Sequence, residues 1–343
     1  MNFEPVYSPA LVSFSKKREI GQEGQNSRVF LAHDEHLDAE IVIKEMPQDS
    51  TDFEKLSKEA KVLYASSHPN VVQIQYACKD ENNFYIAMPF YSKGSLKSLM
   101  SRRYLTAREV IRYGIQFING ISHIHSKGLL HLDIKPDNIL LSDNNEALLS
   151  DFGLSDHTDT DGWYQLTAHY IKHAAPELCD SDRNGLVSVQ FDIYQIGLTL
   201  YRMCVGDEDF NIQYSTYLSE ERLNIPEFAK ALSSGIFPDR KSIPLHIPSQ
   251  LTKIIMKCLE TDTAKRYNNT RDILNDLSSI NYEGLDWQYQ HLDGVQQWVC
   301  KDWAGSEYSV TLNEGDKKFQ VIKNGRNKNN ISSNLKTFLL KLK

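Results

Sequence analysis

The stretch HLDIKPDNILL, His131 to Leu141, decides how this 343-residue chain is read. Its polar residues stand at intervals suited to work on phosphates, whereas Leu132, between the histidine and the first aspartate, does no ionic work. A phosphoryl transfer needs an acceptor for a hydroxyl proton, a cation on the moving phosphate and hard ligands for a divalent metal. Asp133 can accept the proton, Lys135 can neutralise charge on a γ-phosphate, and Asn138 can supply a neutral oxygen to the metal. Any one of these side chains alone would read as a solvated surface group. Their order and spacing carry the argument.

The surroundings extend the set. Thirteen residues beyond Asn138 comes Asp151-Phe152-Gly153, whose carboxylate can take the other side of the metal, and further on stands Ala175-Pro176-Glu177. Upstream, Lys44 ends the strand-like run IVIK, and Glu59 falls in a helical pattern before His68-Pro69-Asn70. A lysine on a strand and a glutamate on a facing helix can pair, which holds the ammonium over the α- and β-phosphates.

This ordered set resembles the protein kinase superfamily of eukaryotic type, from about Glu19 to about Ile280. The resemblance implies that Asp133 is the catalytic base with Lys135 beside it, that Asn138 and Asp151 hold magnesium, and that Lys44 with Glu59 positions ATP. It puts Met88 at the gatekeeper place and Pro89-Phe90-Tyr91 at the hinge, where a proline is tolerated because only its carbonyl is needed and Tyr91 supplies the N–H. Val29, Val42 and Leu140 match the residues that sandwich adenine. Asp192 matches a buried brace of the catalytic loop, and Arg266 matches the partner of Glu177. His131 reads as a packing and backbone-bonding residue rather than a proton shuttle.

Three departures stand out. The glycine-rich loop, anchored on Val29, has Gln22, Gly24 and Ser27 at the three glycine places, with Gly21 one step early. Tyr170 and His173 replace the usual Thr and Tyr before Ala175-Pro176-Glu177, which bears on the substrate groove. Leu132 replaces the arginine that in the family pairs with a phosphate on the activation segment. The segment here carries Asp156, Asp159 and Asp161, beside which a new phosphate would be repelled. The expectation is therefore activity that does not depend on phosphorylating Thr158 or Thr160.

The fold expected is α+β: a two-lobed protein kinase with a β-rich N-lobe at 15–91 and a helical C-lobe at 92–280, preceded by an extension at 1–14. SRVFLAHD, EIVIKEM and NFYIAMPF read as strands. DFEKLSKEAKVLYAS reads as an amphipathic helix, as do the run opened by the capping-box pattern Thr106–Glu109 and residues 191–203, 251–259 and 271–280. Residues 281–343 differ in character. They hold three of the four tryptophans, at 287, 298 and 303, and strand-like runs around Asn313–Asp316. They read as a small α/β or β appendage that either packs on the kinase domain or binds a partner.

Composition sets outer bounds. With 41% hydrophobic and 24% charged residues, a sizeable core is available. The net charge of −7 argues against a nucleic-acid coat. The basic stretch 317–343, with eight Lys/Arg and no Asp or Glu, reads as a solvated face that leaves nucleic acid or an acidic partner open as the minor reading. Five scattered cysteines without CxxC spacing fit reduced thiols. The opening MNFEPVYSPALVSF shows no signal-peptide pattern, and no run approaches a membrane span, so a cytoplasmic protein is expected. The function expected is transfer of the γ-phosphate of Mg-ATP (Mn²⁺ being a chemically similar substitute) to Ser or Thr of a protein substrate. The alternative is a pseudokinase, a nucleotide-binding scaffold acting through a partner.

Overall fold

The structure, a computed structural model, describes residues 11–21, 27–47, 60–166, 171–281, 284–302, 304–315, 318–328 and 334–340. The chain divides into two units, Met1–His68 with Val72–Ser92, and Pro69–Val71 with Lys93–Lys343.

The first unit is strand-rich. Strands β1 (Phe14–Gly21), β2 (Arg28–Asp34), β3 (Ala39–Pro47), β4 (Tyr76–Lys79) and β5 (Asn83–Pro89) form one antiparallel sheet in the order β1-β2-β3-β5-β4. Residues alternate between its faces, as a period of two requires. One face packs Ala32, Ile41, Ile43, Tyr85 and Ala87 into a core. On the other, Met46 and Ile86 meet Ala60 of the helical stretch α1 (residues 60–65).

The second unit opens with α2 (Leu96–Met100) and α3 (Ala107–His125). The capping box is present as the sequence predicts: the Thr106 hydroxyl accepts from Glu109 N–H, and Glu109 accepts from Thr106 N–H. Short strands β6 (Leu129–Leu130), β7 (Ile139–Leu141), β8 (Ala147–Leu149) and β9 (Asp156–His157) follow and pair as β6–β9 and β7–β8. Then come β10 (Tyr164–Gln165), paired with β11 (Leu186–Val187), and the long helix α4 (Val189–Val205). Helix α4 is buried from Phe191 to Val205 and packs on α3 and on α7 (Ser249–Cys258). A Cβ on Gly197 would meet the Cys258 Cβ at 2.5 Å, so only glycine admits this approach. Helix α5 (Asp207–Ser215), the hairpin β12 (Leu218–Ser219) and β13 (Arg222–Leu223), α6 (Ile225–Ser233) and α8 (Thr270–Ser278) complete the helical body.

The C-terminal residues form an antiparallel meander of β14 (Gln288–Leu292), β15 (Val295–Lys301), β16 (Glu307–Asn313), β17 (Phe319–Lys323) and β18 (Arg326–Asn327), closed by α9 (Leu335–Leu340). Its core is Trp287, Tyr289, Trp298, Tyr308, Val310, Val321, Leu335 and Leu339, with Tyr104 of the helical body packed against it. The joint is specific. Trp298 Nε1 donates to His246 Nδ1 at 2.9 Å, Gln288 Nε2 to the Tyr104 carbonyl at 2.8 Å, and Arg108 grips Asp286 at 2.6 and 2.9 Å. The appendage thus packs on the helical body and shares a core with it. A β-rich lobe, a helical lobe and a β-rich appendage are the parts of the two-lobed kinase fold expected from the sequence. Among the described residues no helix is long and apolar enough to cross a membrane, and all five cysteines are free thiols.

Candidate active site

The residues expected to form the catalytic loop converge in the second unit. Asp133, Lys135 and Asn138 are 6%, 7% and 4% exposed. Lys135 Nζ lies 3.0 Å from Asp133 Oδ2. Asn138 Nδ2 donates to the same oxygen at 2.8 Å and to the Asp133 carbonyl at 2.9 Å. These contacts occupy one carboxylate oxygen. The other, Asp133 Oδ1, is buried without a hydrogen-bond partner. A buried carboxylate oxygen without a partner costs free energy, so it marks a place for a donor from outside the chain.

The loop is held in place by α4. Asp192 Oδ2 accepts from His131 N–H and Oδ1 from Leu132 N–H, both at 2.8 Å, and His125 Nε2 donates to Oδ2 at 2.7 Å. Burial raises the Asp192 pKa, but the hydrogen bond and charge of His125, with the His131 N–H, outweigh it and hold the carboxyl below its ordinary range. His131 is fully buried. Its Nε2 donates to the Ser150 carbonyl at 3.1 Å and its ring lies 4.9 Å from that of Phe152. Burial lowers its pKa, so the ring stays neutral in a packing role.

Asp151 follows β8, and its position relative to Asn138 is fixed through Ser150, whose N–H and Oγ both donate to the Asn138 carbonyl at 2.9 and 3.0 Å. Asp151 is exposed, with φ +57°. The fit to magnesium rests on donor chemistry. Asn138 spends its amide hydrogens on Asp133, which leaves Oδ1 for another partner, and Asp151 offers a carboxylate. Two hard oxygens suit an ion that usually takes one or two protein ligands and completes its shell with water and substrate phosphates. Leu140, on β7, is partly exposed in this same unit.

The expected nucleotide residues Gly21, Ser27, Val29, Val42, Lys44, Met88, Pro89 and Tyr91 lie in the first unit. Register pairs Val29 with Lys44, Leu31 with Val42, Lys44 with Ile86 and Val42 with Met88. Val29, Val42, Lys44 and Met88 therefore share one face of the sheet, the face on which α1 packs. Gly21 ends β1 opposite Val29, where a Cβ would come within 3.0 Å of the Val29 Cβ. Pro89 pairs with Ile41 at the end of β5, and burial raises the Tyr91 phenol pKa. Gly24 and Glu59 lie outside the described residues, as does Tyr170.

Sequence reading missed part of the machinery on α4. Gln195 Oε1 accepts from Ile134 N–H at 2.9 Å, and its Nε2 donates to the Leu132 and His173 carbonyls at 3.2 and 3.3 Å. Thr199 Oγ1 and His173 Nδ1 donate to the Ile134 carbonyl at 3.3 and 3.1 Å. The available signal was a polar stripe, Asp192, Gln195, Thr199 and Arg202, at helical spacing in an otherwise apolar helix. Arg266 grips Glu177 through both guanidinium ends at 2.8 and 2.7 Å, the pairing expected from the sequence.

A family model described as the protein kinase domain matches residues 14–277. Among curated proteins, the chain is 33% identical over 211 residues to a probable serine/threonine-protein kinase, samkA, of Dictyostelium discoideum, covering 61% of this chain and 31% of that protein. It is 24% identical over 321 residues to serine/threonine-protein kinase PknD of Protochlamydia amoebophila, covering 82% and 30%. With a probable serine/threonine-protein kinase of Clostridium acetobutylicum it shares 26% identity over 281 residues, covering 80% and 41%. The chain spans between 30% and 41% of the length of these relatives.

Proposed function

We propose, from the premise that this chain belongs to the protein kinase family, that it transfers the γ-phosphate of ATP to Ser or Thr hydroxyls of a protein substrate. The observation that carries this reading is the buried, unpartnered Asp133 Oδ1 beside Lys135 and Asn138. Asp133 Oδ1 accepts the hydrogen of the acceptor hydroxyl and aims its oxygen for in-line attack. Lys135, tied to the other carboxylate oxygen, carries positive charge to the phosphoryl group as it moves. Asn138 and Asp151 would hold magnesium, which would supply positive charge to the phosphates. Lys44 and the sheet face bearing Val29, Val42 and Met88 hold the nucleotide, with Tyr91 and the Pro89 carbonyl at the adenine edge and Gly21 and Ser27 flanking the phosphate loop.

The same reading includes independence from loop phosphorylation. Leu132 is fully buried and has no charge to offer a phosphate. The segment after Asp151 is instead held by backbone pairing: β9 on β6, Thr158 N–H to the Gly128 carbonyl at 2.9 Å, and β10 on β11. Asp159 Oδ1 caps the intervening turn by accepting from Asp161 and Trp163 N–H.

The test is incubation of the full chain with γ-labelled ATP, Mg²⁺ and a generic acceptor protein, followed by phosphoamino-acid analysis. Label on serine or threonine, retained when Thr158 and Thr160 are both changed to valine, is the expected result. Label on tyrosine alone, or loss of transfer in the double variant, would contradict it.

A further inference from the structure

A group of charges beside the catalytic loop takes no part in the transfer itself. Arg202, 2% exposed on α4, directs Nη2 to Asp207 and Nη1 to His173 Nε2 at 2.7 Å, and approaches Asp137 at 3.7 Å. Its Nε is buried without a partner. His173 donates through Nδ1 to the Ile134 carbonyl, so its Nε2 accepts from Arg202 and the ring is neutral. Asp137 is shared with Lys97, at 2.5 Å. Lys172 reaches Asn211 Oδ1 and lies 5.4 and 5.0 Å from the ring centroids of Phe210 and Tyr214. Among the described residues it has no carboxylate at ion-pair distance. Burial, then repulsion from Arg202, holds its pKa below the usual lysine range.

Among the described residues, the three cations Arg202, Lys172 and Lys97 thus face two carboxylates, Asp137 and Asp207, with Lys172 the one that has no carboxylate at ion-pair distance in this half-buried place. That place adjoins the reaction. His173 and Thr199 both donate to the carbonyl of Ile134, the residue after Asp133. Lys172 is the neighbour of His173, and it is partly exposed where Arg202 is not.

Resting on the kinase reading above, we infer that Lys172, backed by Arg202, is a specificity-determining residue that selects protein acceptors carrying an acidic side chain beside the Ser or Thr. A carboxylate brought by the substrate supplies the missing negative charge and relieves the repulsion between the two cations. A basic side chain there would add a fourth cation and is disfavoured, so selection works by attraction and by repulsion together.

The experiment uses the full chain and a Ser/Thr peptide library in which each flanking position is Glu, Gln or Lys, and compares ratios of kcat/KM rather than absolute rates. Glu at one position is expected to exceed Gln by roughly five- to tenfold, the discrimination of one partly desolvated ion pair. The ratio falls toward one in Lys172→Ala, is kept in Lys172→Arg and turns toward the Lys peptide in Lys172→Glu. Equal turnover of Glu and Gln peptides at every position, or an acidic preference that survives Lys172→Glu, would overturn the inference while leaving the kinase reading intact. Absence of transfer to every peptide and to generic proteins would remove the kinase reading, and this inference with it.

Discussion

At the scale of single residues, two buried side chains carry unusual constraints. Leu132 is fully buried at φ +68°, a left-handed conformation that leucine rarely adopts. The strain is offset by its N–H on Asp192 and its carbonyl on Gln195. Leu132→Ala should lower stability by about 2–5 kcal/mol, read by denaturant unfolding, because the pocket loses its filling while the backbone strain stays. An unchanged midpoint would show that Leu132 does not anchor the loop. His246 is the second. Burial pushes its pKa down to about 3, and its Nδ1 must be unprotonated to accept from Trp298. The unfolded histidine takes its proton first, near pH 6.5. The contribution is therefore complete above that pH and is lost as pH falls from there toward about 3. At pH 5 the loss is about 2 kcal/mol. His246→Gln, which keeps an acceptor for Trp298, should show a correspondingly smaller drop in stability between pH 7 and pH 5. Parallel pH curves for the two proteins would refute this.

At the scale of elements, α4 does two jobs with one helix. Its apolar residues fill the core, and its polar stripe hydrogen-bonds the backbone on both sides of Asp133. Gln195→Leu keeps the volume but strands the Ile134 N–H and the Leu132 carbonyl. The expected cost is about 1–3 kcal/mol in stability, with a larger fall in kcat than in ATP affinity, since the loop rather than the nucleotide residues is loosened. An equal loss of both would place Gln195 elsewhere in the mechanism. The helices α3, α4, α7 and α8 were legible from the sequence because apolar periodicity and, for α3, a capping box announce them. Strand β1 was not, because FSKKREIG exposes six of its eight residues and takes its form from the ladder with β2. Strands β14 and β15 mix glutamines with aromatics, and their inward face is defined only once Trp298 and Tyr289 meet. That Asp133, Lys135 and Asn138 come together was foreseeable, because the proposed phosphate work calls for those residue types at those intervals. The loop's supports, Gln195, Thr199 and Arg202, were hidden because a polar residue in an apolar helix does not say which distant backbone it serves.

Across the whole molecule, the appendage behaves as part of the helical body, with Tyr104, His246 and Arg108 reaching into or onto it. Trp298 is fully buried at this joint. Trp298→Ala should cost about 3–5 kcal/mol and leave His246 Nδ1 without its donor. Because one core is shared, tryptophan fluorescence and helical circular dichroism should report the same unfolding midpoint in the native chain, and the midpoints should separate in the variant. Two midpoints already separate in the native chain would show the appendage to be an independent module. The central claim, that the buried Asp133 loop performs phosphoryl transfer, is tested most directly by single-turnover transfer from γ-labelled ATP in Asp133→Asn beside the native chain. A rate reduced by roughly 10²–10⁴-fold, with the ATP-induced rise in melting temperature preserved, is the expected result. Transfer by Asp133→Asn at the native rate would contradict it.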